Sequence, residues 1–222
     1  MIINLTLSIF VNFVPIILAI VLHEIANGYA AYYCGDNTAQ KQGRLSFNPL
    51  RHADFFGSLI LPLILLLSKT GFVFGWAKPV PINFDNLRHP KRDLFIVASA
   101  GIITNMLLAL LSSLILVAVS YIPHQLTQSI ITLFFTNFAI FNVVLAVFNA
   151  LPIPPLDGSK IFLGWSDNQH IQKFLHSERQ GTLFIILIAF ILPMLLRHIG
   201  YDFNPFGMYM IKVSKFFISL FL

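Results

Sequence analysis

An uncharged apolar run that ends on a histidine and a glutamate sets the terms for this chain. No Lys, Arg, Asp or Glu precedes Glu24, and the residues from about Ile2 to Leu22 are almost purely apolar. A run of that length can cross a bilayer, where only a helix satisfies its own backbone groups. The helix is expected to continue through His23 and Glu24, with Pro15 as a possible kink and Gly35-Asp36-Asn37 as its stop. Ionisable side chains inside such a segment are costly to bury and mark function by default.

The rest of the chain is of the same kind. Only 10% of its residues are charged and 57% are hydrophobic, with 23 Phe among 222 residues; a soluble domain carries about 25% charged residues. The expected fold is an all-α polytopic membrane protein of about five to six transmembrane or membrane-embedded helices. The net charge of +5 is scattered between apolar runs, which argues against a nucleic-acid surface. A single cysteine, Cys34, excludes an internal disulfide and a cysteine-based zinc cluster. The first twenty residues lack a basic start and a small-residue cleavage site, so they read as a retained helix rather than a signal peptide.

In chain order, residues 36–54 form a polar connection and Phe55 to Ser68 is apolar but short for a span, suiting a dip into the membrane or a helix buried in protein. Pro79 and Pro81 forbid regular helix over residues 71–90, where alternation suggests a short extended hairpin covered by protein or lining a cavity. Asp93 to Tyr121 and Ser129 to Ala150 read as spans, residues 160–181 as polar, Thr182 to Leu196 as a short span and Phe206 to Leu222 as a weaker one. With no internal repeat or linker, residues 1–222 read as one domain, with a core over 5–165 and C-terminal helices over 182–222. Segment 35–92 holds eight Lys and Arg, segment 151–181 three and the connection 122–128 none. The positive-inside rule therefore puts both rich segments in the cytoplasm, with His23 toward that side.

Three constellations carry chemistry. His23 and position 27 share a helix face, with Glu24 about 100° round from His23. That is the layout of the zinc-protease motif H-E-x-x-H, in which two His bind the metal and the Glu acts as base; here Asn27 stands where the second His belongs. The second is Asn149 to Gly158, where three prolines break the helix and set Asp157 beside a glycine. Zinc accepts carboxylate oxygen as well as imidazole nitrogen, although Asp-Gly is also a common turn pair. The third is Gly101 and Asn105, i,i+4 on one face, where helix packing is the stronger reading of the residues alone.

Together these elements resemble the site-2 protease family of intramembrane zinc metalloproteases, the M50 peptidases, and most of all its short bacterial members without a PDZ domain. The likeness runs over most of residues 15–165. It comprises His23-Glu24, Gly35-Asp36, Gly43-Arg44-Leu45, Asn48-Pro49 with His52 and Asp54, Gly75-Trp76-Ala77-Lys78-Pro79-Val80-Pro81, Gly101 to Asn105, and Asn149 through Pro152 to Asp157-Gly158. The resemblance implies one zinc ion held by His23 and Asp157, with Glu24 polarising its water and moving the proton. It implies that Asn105, with Gly101, lies near the site and helps hold the substrate. The stretch containing Trp76 and Pro79 would border the site and pair with an extended substrate. The implied partner is a transmembrane or membrane-associated protein in the lipid bilayer of a bacterial inner membrane.

Ile102 stands where the family usually has Pro. The weightier departure is Asn27, because an amide oxygen is a neutral and weaker zinc donor than imidazole. Three readings follow: Asn27 coordinates weakly or through water; another His substitutes, His52 being the nearest by family position, although a loop position suits polar surface better; or the site is dead and the protein binds membrane helices without cutting them. A transporter with a carboxylate ion path is a weaker alternative, since nothing suggests inverted halves. His89, His124, His170, His176 and His198 lie near connections or span ends, where solvated roles are the default.

Overall fold

The computed structural model describes residues 2–55, 60, 78–163 and 177–222. Helix α1 (Ile2–Tyr33) runs through Pro15 and past the His-Glu pair. It ends as the sequence predicts: Gly35 takes φ 114° and the Asp36 N–H returns to Ala31 O at 2.9 Å, closing the carbonyls of the last turn. The short α2 (Thr38–Lys41) and a 3-10 turn at Pro49–Arg51 fill the polar connection.

Helix α3 (Pro90–Val119) starts where Pro90 supplies a preset φ at the first helical position and Asp93 reaches back to accept the His89 N–H at 2.8 Å. Helix α4 (Gln125–Asn149) is capped by His124, whose Nδ1 accepts from the Thr127 N–H. After the proline-rich turn come α5 (Asp157–Leu163) and α6 (Glu178–Ile186), then a π-helical stretch at Leu187–Ile191 that leads into α7 (Leu192–His198) and, lastly, α8 (Pro205–Phe221).

Four helical stretches among the described residues are long and apolar enough to cross a membrane: Thr6–Tyr33, Pro90–Val119, Gln125–Asn149 and Glu178–His198. The chain is an all-α membrane protein. Residues 78–83 carry no helix, as the prolines dictate. The expected dip at Phe55 to Ser68 and the 71–77 half of the hairpin lie, apart from Phe55 and Ile60, outside the described residues.

Helices α1, α3 and α4 pack on one another, α5 lies against α3, and α8 against α4. Small side chains line these crossings: Ala19, Ala31, Ala98, Ala109, Ala139 and Ala146 are almost fully buried. In lipid there is no hydrophobic force between helices, so close backbone approach at small residues supplies the contact. Large apolar residues such as Phe13, Ile103, Leu114 and Val117 turn outward, where acyl chains solvate them.

Candidate active site

The site forms where three chain segments meet the second half of α1. About 15 Å of helix separates His23 from Tyr33 at 1.5 Å per residue, and the pair belongs to the stretch Thr6–Tyr33 that is long and apolar enough to cross a membrane. Helix α3 can pass the His23 ring because residue 101 is glycine: a Cβ there would sit 2.5 Å from Cε1 and 2.7 Å from both ring nitrogens. Gly158 does a similar service for Asp157, since a Cβ at 158 would run into the carbonyl oxygens of Ala150 and Leu151 that close the turn before α5.

The third segment is the extended stretch from Lys78. Arg44 donates from Nη2 to Lys78 O at 2.7 Å and to Pro79 O at 3.2 Å. The buried Asp36 carboxylate accepts from the N–H groups of Thr38 at 3.0 Å and Asn83 at 2.8 Å, and from Asn86 Nδ2 at 2.9 Å. Burial pushes its pKa up, but these hydrogen bonds, with one from the Thr38 hydroxyl, outweigh that and hold it below the ordinary carboxylate value. So anchored, the segment presents the Val80 N–H to Glu24 Oε2 at 2.7 Å.

At the centre, His23 Nε2 and Asp157 Oδ2 lie 2.9 Å apart, joining residues 134 positions distant in sequence. Asn27 Nδ2 donates to Asp157 Oδ2 at 2.8 Å and stands 3.3 Å from His23 Nε2. Asn27 Oδ1 faces the other way and accepts the Gly101 N–H at 2.7 Å. Lys160, one turn along α5, donates to Asp157 Oδ1 at 2.9 Å. Burial opposes ionisation of Asp157, and the Lys160 charge is the largest of the influences that outweigh it and hold its pKa below the usual carboxylate range. For Lys160 burial again opposes the charge, and the adjoining Asp157 carboxylate more than offsets it, raising the lysine.

Whether these residues suit zinc divides into position and donor type. Bonds of about 2.0–2.2 Å in a tetrahedral set place neighbouring ligand atoms about 3.3 Å apart. The triangle of His23 Nε2, Asp157 Oδ2 and the Asn27 amide tip has sides of 2.9, 2.8 and 3.3 Å, close to one face of that tetrahedron. Two corners carry good donors. The third carries an amide nitrogen, which has no lone pair to give, because the Gly101 N–H claims the oxygen. Among the described residues no group of three or more His, Cys, Asp and Glu is placed to hold a metal ion. The site thus fits zinc at His23 and Asp157, and fits it at position 27 only if the amide turns over and gives up the Gly101 bond.

The remaining candidates fall into place as follows. Asn105 is fully buried and spends its amide on protein groups: Oδ1 lies 2.6 Å from His23 Nδ1, and Nδ2 donates to Asn142 Oδ1 at 2.7 Å. Gly101 likewise supports Asn27 with its N–H. Both therefore build the site in this structure. Asn149 turns back to Leu145 O on its own helix at 3.0 Å. His52 corrects its expectation: it is not polar surface but 1% exposed, with Nε2 on Ser46 O at 2.7 Å. Pro79 is exposed, and Trp76 lies outside the described residues.

Sequence reasoning missed Lys160, Asn142 and Val80. Lys160 was readable: a cation three residues after a carboxylate at a helix start shares its face. It was counted instead with a polar loop that turns out to begin as helix α5. Val80 contributes only a backbone N–H, which no side-chain pattern reveals.

The fold and the site define a membrane-embedded helical bundle with a buried His-carboxylate centre, and the comparisons agree. The family model for "Peptidase family M50" matches residues 111–194, a stretch that contains Asp157 but not His23 or Asn27. The chain is 34% identical over 184 residues to the "Putative zinc metalloprotease YwhC" of Bacillus subtilis, covering 82% of this chain and 80% of that one. It is 29% identical over 205 residues to the "Putative zinc metalloprotease Rip2" of Mycolicibacterium smegmatis, covering 89% and 75% respectively. No solved structure matches. This chain belongs to the M50 family of site-2 proteases.

Proposed function

We propose that the protein is an intramembrane zinc metallopeptidase, hydrolysing peptide bonds in or near the transmembrane segments of membrane proteins. The observation that carries this is the convergence of His23 Nε2 and Asp157 Oδ2, 2.9 Å apart and buried, with Glu24 next along the helix. His23 and Asp157 are the residues that would hold one zinc ion. Bound zinc supplies Lewis acidity and lets water act as a nucleophile near neutral pH. Glu24 takes the proton of the attacking water and returns it to the leaving amine. Its Oε2 is held by the Val80 N–H, which fixes the carboxylate's direction. Lys160 occupies Asp157 Oδ1, leaving Oδ2 to face His23 and Asn27. An extended substrate segment would lie alongside residues 78–81, whose backbone Arg44 keeps in place.

One observation favours a second reading, a catalytically impaired homologue that binds membrane helices without cleaving them: the Asn27 amide nitrogen occupies the third corner of the site. Zinc content separates the two. The natural protein, purified from zinc-replete cells, is expected to carry about one zinc per chain, and His23→Ala close to none. A natural protein with no more zinc than His23→Ala would overturn the metallopeptidase reading.

We further propose that the centre opens toward the cytoplasm of a bacterial cell, from the eleven Lys and Arg in segments 35–92 and 151–181 against none in 122–128. Topology reporters fused after Gln42 and after Pro123 are expected to give opposite signals. The same signal from both would refute this orientation.

A further inference from the structure

We propose that Asn142, which touches neither substrate nor metal, is a positioning residue that fixes the tautomer of His23 through Asn105. That the fixed lone pair serves zinc rests on the function proposed above; the tautomer itself does not.

A chain of buried hydrogen-bonding groups runs from Asn142 to His23 with one consistent direction. Asn142 on α4 is fully buried, and its Nδ2 donates to Phe138 O of its own helix at 2.8 Å. A carbonyl oxygen can only accept, so this bond sets the Asn142 amide: Oδ1 is the atom turned to α3. There it accepts from Asn105 Nδ2 at 2.7 Å. Asn105 Nδ2 also faces Ala19 O, at 3.4 Å, again an acceptor. The Asn105 amide is therefore set too, and the atom it offers His23 Nδ1, at 2.6 Å, is Oδ1. A neutral imidazole facing an acceptor carries its proton on that nitrogen. Nε2 is left with a lone pair, directed at the corner shared with Asp157 Oδ2.

Left alone, the imidazole would choose otherwise. Asp157 Oδ2, an acceptor 2.9 Å from Nε2, favours the proton there more strongly than the Asn27 amide N–H, a donor 3.3 Å away, favours a lone pair. The two asparagines oppose that choice, and holding two acceptors face to face is an arrangement suited to a cation between them. Second-sphere groups commonly set imidazole tautomer in this way. If Asn142 Oδ1 is removed, Asn105 Nδ2 keeps only the 3.4 Å contact. The Asn105 amide can then turn over and present N–H to His23 Nδ1, sending the ring proton to Nε2.

The test uses full-length protein in detergent with 15N-labelled histidine. Its imidazole nitrogens are followed by NMR in metal-free samples at a pH where the ring is neutral, the His23 resonance being assigned by its absence from His23→Ala. The natural protein is expected to show His23 protonated on Nδ1. Asn142→Leu, and Asn142→Ala, which removes the amide without adding bulk, are expected to shift it to the Nε2-protonated form. Asn142→Asp should restore the natural tautomer, because a neutral carboxyl can donate to Phe138 O and still accept from Asn105. Zinc affinity, measured against a competing chelator, should fall about 10–100-fold in the leucine and alanine variants and return near the natural value in the aspartate one. Retention of the Nδ1-protonated form in a folded leucine or alanine variant would overturn the proposal. A tautomer change with unaltered zinc affinity would support the relay and count against His23 as a zinc ligand.

Discussion

Glu24→Gln is expected to abolish hydrolysis of a model transmembrane substrate, a loss of about 10²–10⁴-fold, while zinc content and substrate binding stay near natural values. The size of the effect rests on what glutamine lacks. Its amide matches the carboxylate in shape, and its oxygen can still accept the Val80 N–H, so the 2.7 Å anchor and the path of the 78–83 segment survive. What is lost is the capacity to take a proton. A loss of uniform binding would raise KM, whereas removal of a group that acts on the reacting water lowers kcat. Glu24 is not among the three groups that meet at the metal corner, so a chelator competition should give the same zinc affinity for both proteins. Hydrolysis that persists at the natural rate in Glu24→Gln would reduce Glu24 to an anchor for Val80 and remove the general base from the mechanism.

Much of this arrangement was legible before any coordinates, and for identifiable reasons. A long uncharged run can only be a membrane helix, so α1 follows from composition and length. Its end follows from Gly35, whose φ of 114° a residue with a side chain rarely adopts. Helical periodicity places His23 and position 27 on one face, and the two motifs meet in space as the resemblance implies. The inner supports were less visible. Asn142 reads as one polar residue in an apolar helix, and nothing in periodicity says that it faces Asn105 rather than another helix. His52 shows the converse error. A loop position suggests solvent, but the chain folds over it and Ser46 O takes its Nε2. Loops between membrane helices have packing partners that local composition does not encode.

Asn27 is the residue on which activity turns, and Asn27→His is expected to tighten zinc binding by at least about 100-fold, beyond the 10–100-fold that even outer groups contribute. The position is already correct: the amide tip lies 2.8 Å from Asp157 Oδ2 and 3.3 Å from His23 Nε2, one helical turn from the latter. The donor is what changes, from an amide nitrogen with no lone pair to an imidazole nitrogen with one. The substitution also carries a cost. Gly101 N–H loses its 2.7 Å acceptor, a hydrogen bond of about 0.5–1.5 kcal/mol, while its place inside α3 leaves it the helix's own carbonyl. The metal-free variant should therefore melt below the natural protein. With zinc present the order should reverse, because a hundredfold gain in affinity adds about 2.7 kcal/mol at saturating ion, more than that loss. Thermal melts of both proteins with zinc and with a strong chelator would show this crossing. Equal zinc affinities would mean that position 27 does not face the ion. If hydrolysis of a transmembrane substrate appears only in Asn27→His, the natural protein is a binder that has given up cutting. If the natural protein cleaves and Glu24→Gln stops it, the non-cutting reading is wrong and Asn27 is a tolerated ligand or neighbour of the ion, its oxygen available to zinc only where the bond to the Gly101 N–H is given up.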